Sequence, residues 1–290
     1  MAEPRAVTLR REGERAASRF PALLAESETI AASVAHGVHG RRRPGSGETF
    51  WEYRRHRPED GARGVDWRRS ARGDQLFVRE TEHEAANAVF LWRDGEAGMR
   101  TGSSGVPLKR DRAAVCLIAL ASLLHRGGER MAALGETGRA RGGRTGLELT
   151  ARALADGPGA SASVEAPDLP RHARVVLASD FLDPPETWEA RLKALSAAGA
   201  RGVMLRVIDP AEEDFPFEGR TRFRFDLAGE PLLFGRAQDA RTAYHRLWAE
   251  HGERLADLSR RSGFVMVTHR TDRPAASAVL ALHQAVSGAV

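Results

Sequence analysis

Two aspartates stand where apolar runs of strand length end. Asp94 closes AVFLWRD, and Asp180 closes RVVLASD with Ser179 just before it. In an open α/β sheet, ligands gather beyond the carboxyl ends of the strands. If these two strands are neighbours, both carboxylates face one crevice. Oxygen ligands of this kind suit Mg²⁺, which prefers octahedral geometry and keeps several waters. The aspartates also have a plainer use, because Asp commonly opens a turn or caps the following helix. From composition alone the plainer use carries the greater weight. Other chemistries find less support. A phosphate-binding loop needs Gly-Lys-Ser/Thr, and neither Lys109 nor Lys193 follows a glycine. The ten histidines show no HExxH spacing for a zinc hydrolase, and no nucleophile–base pair can be named.

The elements that must hold these acids follow from periodicity. Short apolar runs alternate with longer helical patterns: Ala88–Trp92 then 109–125, Glu129–Leu134 then 147–155, Arg174–Ala178 then 185–198, and Val203–Ile208. A long helix over 238–261, a strand at 264–268 and a helix over 274–286 complete the series. This alternation predicts βαβ units, hence a mostly parallel sheet with helices on both faces. One block breaks the pattern. Thr221–Leu227 and Pro231–Phe234, joined through Ala228-Gly229-Glu230, predict an inserted hairpin. The stretch 156–172 is rich in Gly, Pro, Ser and Ala and is expected to be a surface loop. Near the start, Phe20, Leu23, Leu24, Ile30 and Val34 have helical spacing.

The composition constrains the partners. The formal net charge is +5 over 290 residues, but only Lys109 and Lys193 are lysines, so 44 minus 2 leaves 42 arginines. Arg, Ala and Gly richness with almost no Lys is what a GC-rich genome produces, and this outweighs a nucleic-acid reading. Cys116 is the single cysteine, which excludes an intrachain disulfide and a Cys-based zinc site. The start MAEPRAVTLRREGERAAS lacks a signal-type apolar stretch. The longest apolar run, Ala113 to Leu124, is well short of the roughly 20 residues that span a bilayer. A cytoplasmic location without membrane contact is expected.

The densest segment is Gly45 to Glu84. It shows Gly47, Phe50, Arg54, Pro58, Asp60, Arg63, Val65-Asp66-Trp67, Ser70-Ala71-Arg72 and Val78-Arg79-Glu80. In this it resembles the signature of bacterial domain-of-unknown-function family fifty-eight, in which such a segment precedes a von Willebrand factor A-like domain. The resemblance implies a Rossmann-like fold over 86–290, with an N-terminal helix and the signature over 1–85. It also implies a metal-dependent adhesion site, begun by Asp-x-Ser-x-Ser. Here Asp94 is followed by Glu96 and Gly98 where the serines would stand. The loss of both hydroxyls predicts a degenerate site of Asp94, Glu96, Thr145 and Asp180, holding Mg²⁺ weakly if at all. Without a cation these acids repel, so at least one carboxyl pKa should rise, unless an arginine such as Arg93 or Arg100 neutralises them.

Between His39 and Arg72 ten arginines face five acids. Arg54, Arg57, Asp60, Arg63, Asp66, Trp67, Arg68 and Arg72 are expected either to form a charged docking face or to build an internal ion-pair network around the aromatics. The resemblance implies a non-enzymatic adaptor that partners a MoxR-type AAA+ ATPase. The alternative is polyanion or nucleic-acid binding through 41–72, against which the interspersed acids argue.

Overall fold

In the computed structural model, residues 25–34, 50–55, 70, 77–81, 88–135, 139–156, 169–170, 173–223 and 231–288 are described. The chain forms two compact units, residues 38–87 and the remainder. In the smaller unit, β1 (Phe50–Arg55) pairs antiparallel with β2 (Phe77–Thr81), placing Arg54 opposite Val78, with an irregularity between Phe50 and Glu52.

The larger unit carries the sheet. Its strands are β3 (Ala88–Arg93), β4 (Arg130–Ala133), β5 (Arg174–Ser179), β6 (Arg201–Ile208) and β9 (Phe264–Arg270). They lie in the order β4-β3-β5-β6-β9, every pair parallel. All six residues of β3 are buried, as a strand covered on both faces requires. The helices between them are α2 (Lys109–Arg126), α3 (Gly143–Asp156), α4 (Pro185–Ala197), the short α5 (Pro210–Asp214), α6 (Arg241–Arg261) and α7 (Ala275–Val286). The α/β architecture and its parallel sheet are therefore those expected from the alternation. The predicted hairpin is present as β7 (Thr221–Phe223) paired with β8 (Leu232–Phe234); residues 224–230 lie outside the described residues, as does most of the predicted 156–172 loop.

Successive side chains of a strand point to opposite faces, and the two faces pack different helices. Phe90, Trp92, Val175, Leu177 and Met204 meet Trp188 and Leu192 of α4 and Leu255 and Leu258 of α6 in one core cluster. On the other face α2 packs against β3, β5 and β6, flanked by α3 and α7. A first helix, α1, covers 25–34 and belongs to this larger unit. It is tied to α2 where Ser27 Oγ donates to the Val115 carbonyl at 3.1 Å and Arg112 pairs with Glu26 at 3.2 Å.

One glycine sets the strand spacing. A Cβ at Gly202 would lie 1.6 Å from the Val175 carbonyl oxygen of the paired strand. Gly202→Ala must push β5 and β6 apart, and overpacking of this kind costs about 1–3 kcal/mol. Urea unfolding is expected to show that loss. An unchanged midpoint would mean that the strands have room to spare.

Candidate functional site

In chain order the strands are arranged 2-1-3-4-5, so the winding reverses between β3 and β5. Ligand crevices of doubly wound sheets open at such a reversal. Asp94 and Asp180 emerge at that point, only 4% and 7% exposed. The Asp94 amide donates to the Ala178 carbonyl at 2.9 Å, which extends the ladder one residue beyond β3. Ser179 Oγ donates to Asp94 Oδ2 at 2.5 Å and accepts from the Phe181 amide at 3.0 Å. Asp94 Oδ1 also accepts from the Glu96 amide at 2.8 Å, and Asp180 Oδ1 from the Leu182 amide at 3.1 Å. Each aspartate thus opens a turn through the amide two residues on. Burial pushes the Asp94 carboxyl above its ordinary range, opposed by the Ser179 hydroxyl and the Glu96 amide, with the Asp180 charge adding to the rise.

The backbone behind Asp180 is fixed by aromatic packing. Phe181 sits in the left-handed region at φ 54° and is fully buried. Its ring meets Trp188 edge-on at 4.5 Å, and Trp188 meets Trp92 at 5.9 Å. Its carbonyl lies 2.7 Å from His251 Nε2. A left-handed non-glycine residue is costly unless its surroundings over-determine it, and here they do.

The centre of the crevice holds a cation supplied by the chain itself. Lys109, the first residue of α2, is completely buried. Its Nζ lies 2.8 Å from Asp180 Oδ2 and also donates to Glu212 Oε1. Burial alone would lower the Lys109 pKa, but Asp180 and Glu212 outweigh it and hold the ammonium above its usual value. Glu212 comes from α5, which follows β6, so acids from two strand ends converge on one ammonium at the start of α2.

The acid end is locked in turn. Glu212 Oε2 accepts from the Asp209 amide at 2.8 Å while Asp209 Oδ1 accepts from the Ala211 amide at 2.9 Å, a reciprocal cap at the start of α5. Ser103 clamps the same aspartate, its amide 2.7 Å from Oδ2 and its hydroxyl on Oδ1. Tyr244 Oη donates to the Glu212 carbonyl at 2.6 Å. Nearby, the buried Arg206 guanidinium lies 4.5 Å over the Trp248 ring.

The family described as "Protein of unknown function DUF58" matches residues 52–254. The chain belongs to the DUF58 family. Uncharacterized proteins of Mycobacterium tuberculosis and Mycobacterium bovis are each 30% identical to it over 257 residues, spanning 83% of this chain and 80% of theirs. An aerotolerance-related membrane protein from Bacteroides fragilis NCTC 9343, crystallised with multiple mutations to serines, aligns with 70% of this chain and 99% of its own, at 15% identity and a TM-score of 0.39. That likeness is too low to carry an argument. Among the described residues no helix is long and apolar enough to cross a membrane.

Within this DUF58 chain, the predicted metal set is only half assembled. Asp94 and Asp180 are brought together through Ser179. Glu96 contributes its amide to Asp94 while the residue itself is exposed. Thr145 is exposed on the first turn of α3, with no hydrogen bond to either aspartate. Nor would a serine at 98 fit without movement, because a Cβ on Gly98 would lie 2.8 Å from Asp180 Oδ2, the oxygen that Lys109 holds. No group of three His, Cys, Asp or Glu among the described residues could hold a metal ion. The residues present therefore do not fit a divalent cation, and the charge on Asp180 is met by Lys109 rather than by Arg93 or Arg100.

Sequence reasoning missed Lys109, Glu212, Asp209 and Ser103. Two signals pointed to them: Lys109 is one of only two lysines in a chain that otherwise uses arginine, and Asp209-Pro210-Ala211-Glu212 is a readable capping box after a strand. Of the signature residues, Arg54 lies in β1, whereas Arg57, Asp60, Arg63, Asp66, Trp67, Arg68 and Arg72 lie outside the described residues.

Proposed function

We propose that this protein is a non-enzymatic adaptor, an A-like interaction domain in which a lysine ammonium stands in for the divalent cation, acting in the cytoplasm beside a MoxR-type AAA+ ATPase. The observation that carries this reading is Lys109 between Asp180 and Glu212 at the reversal of the sheet. A carboxylate bound by an internal ammonium and by turn amides is poorly placed to act as a base or to receive a metal. The same arrangement keeps the crevice loops in one conformation, as a rigid recognition surface needs. The parallel sheet, the acids at two adjacent strand ends and the signature segment support the A-like assignment by analogy, and fold alone does not establish function.

The test is co-purification of the tagged full chain with the ATPase, in the presence of Mg²⁺ or excess EDTA. Recovery is expected to be equal in the two buffers, and thermal unfolding of the isolated chain should be unmoved by Mg²⁺ or Mn²⁺. An ATPase captured only with Mg²⁺, or a saturable metal-induced rise in Tm, would overturn the internal-cation reading. Failure to recover the ATPase under either condition would remove the adaptor role.

A further inference from the structure

Beside the ion cluster lies a pocket of about 600 Å³, within the size range of ligand sites. We propose that it is a docking site for a partner-protein segment that presents a large apolar side chain next to a lysine or arginine. This inference rests on the adaptor reading and names the chemistry of what the adaptor would hold.

The walls are aromatic, and their rings pack on one another. Phe215 closes α5 in the left-handed region at φ 44°. Its ring lies 5.3 Å from Phe217, 5.7 Å from Phe223 and 4.5 Å from Tyr244, and Phe223 meets Phe234 at 5.6 Å. Such a cluster gives an apolar anchor a preformed place, which reduces the ordering cost of association. Two lining residues, Leu232 and Leu247, are 48% and 57% exposed. The apolar surface therefore continues outward along β8 and α6, as a groove for a chain segment does.

The charge of the partner follows from the other end. There the lining includes Asp209 and Glu212. Lys109 is wholly buried, is not part of the lining and neutralises Glu212 from behind. Asp209 is held by Ser103 and the Ala211 amide but forms no ion pair among the described residues, so it carries the net negative charge at this end. Aromatic faces are also electron-rich and attract cations. An apolar anchor can fill the aromatic end while a basic neighbour approaches the acids. An acidic segment would meet like charge, which penalises wrong partners.

The test pans a phage-displayed random peptide library on the full-length protein and measures the selected peptides by fluorescence polarisation against wild type, Leu247→Arg and Leu247→Glu. Leu247 is largely exposed, and circular dichroism checks that both variants remain folded. Selected peptides are expected to pair Phe, Trp or Leu with Arg or Lys and to bind Leu247→Arg about tenfold more weakly, with a smaller loss for Leu247→Glu. The proposal is overturned if no peptides are enriched, if acidic ones are, or if all three proteins bind them equally. Saturable binding of phenylbutylammonium without any peptide selection would mark a small-molecule site and overturn it as well. Peptide selection does not require the ATPase, so loss of ATPase co-purification with peptide binding intact would count against that partner and not against the pocket.

Discussion

Replacing Lys109 with methionine is expected to destabilise the protein by about 3–5 kcal/mol, the cost of breaking a buried ion pair by removing one partner. Methionine fills much of the same volume, so the loss is electrostatic rather than a cavity effect. Without the ammonium, buried Asp180 and part-buried Glu212 lose the cation that holds both, with Asp94 close behind them. Lys109→Arg should recover only part of the loss. A planar guanidinium is bulkier than an ammonium, and the Lys109 side chain is completely enclosed. The decisive comparison is the triple variant Lys109→Met, Asp180→Asn, Glu212→Gln. Neutralising both acids removes the stranded charge, and well-packed neutral replacements of buried ion pairs are often close to neutral in stability. Urea midpoints should therefore fall sharply for the single variant and largely return for the triple. A single variant within about 1 kcal/mol of wild type would place it among ordinary surface substitutions and show that Lys109 does not hold the crevice together.

This expectation rests on a residue whose role was not legible in the sequence, and the reason is topological. The strands were legible because β3 and β5 are buried on both faces and so appear as unbroken apolar runs. Their terminal aspartates could be placed at carboxyl ends on that basis alone. Lys109 acts across three connections. It lies at the start of α2, after β3, yet it meets an acid that follows β5 and another that follows β6. Those ends converge only because the sheet runs 2-1-3-4-5, and strand order is not written in local periodicity. The residues of the expected degenerate metal set are separated for a local reason. In the turn opened by Asp94 it is the backbone amide of residue 96 that reaches the carboxylate. The helix containing Thr145 begins at Gly143 rather than Leu147, which puts that hydroxyl on an exposed first turn.

Acidification should expose a second buried group, His269 on β9. The residue is 3% exposed, and its Nε2 has no hydrogen-bond partner. Burial pushes its pKa down to about 4 from 6.5; the Arg112 charge adds to the fall, and Asp272 opposes it. The imidazole is therefore neutral in the folded chain at pH values where the unfolded chain already binds a proton. Because the unfolded state takes up more protons, stability falls as the pH drops from 6.5 towards about 4. The full shift corresponds to about 3 kcal/mol. Asp94 and Glu212 act in the opposite sense, since their raised pKa values make the folded state bind protons more readily as acid is added. Lys109 titrates above its ordinary 10.5 and does not enter this window. The His269 contribution is isolated by comparison with His269→Leu, which cannot charge and gives up no hydrogen bond at Nε2. Urea midpoints between neutral pH and pH 4.5 are expected to fall more steeply for wild type than for the variant. Parallel profiles would show that His269 gains a proton in the folded state as easily as in the unfolded chain.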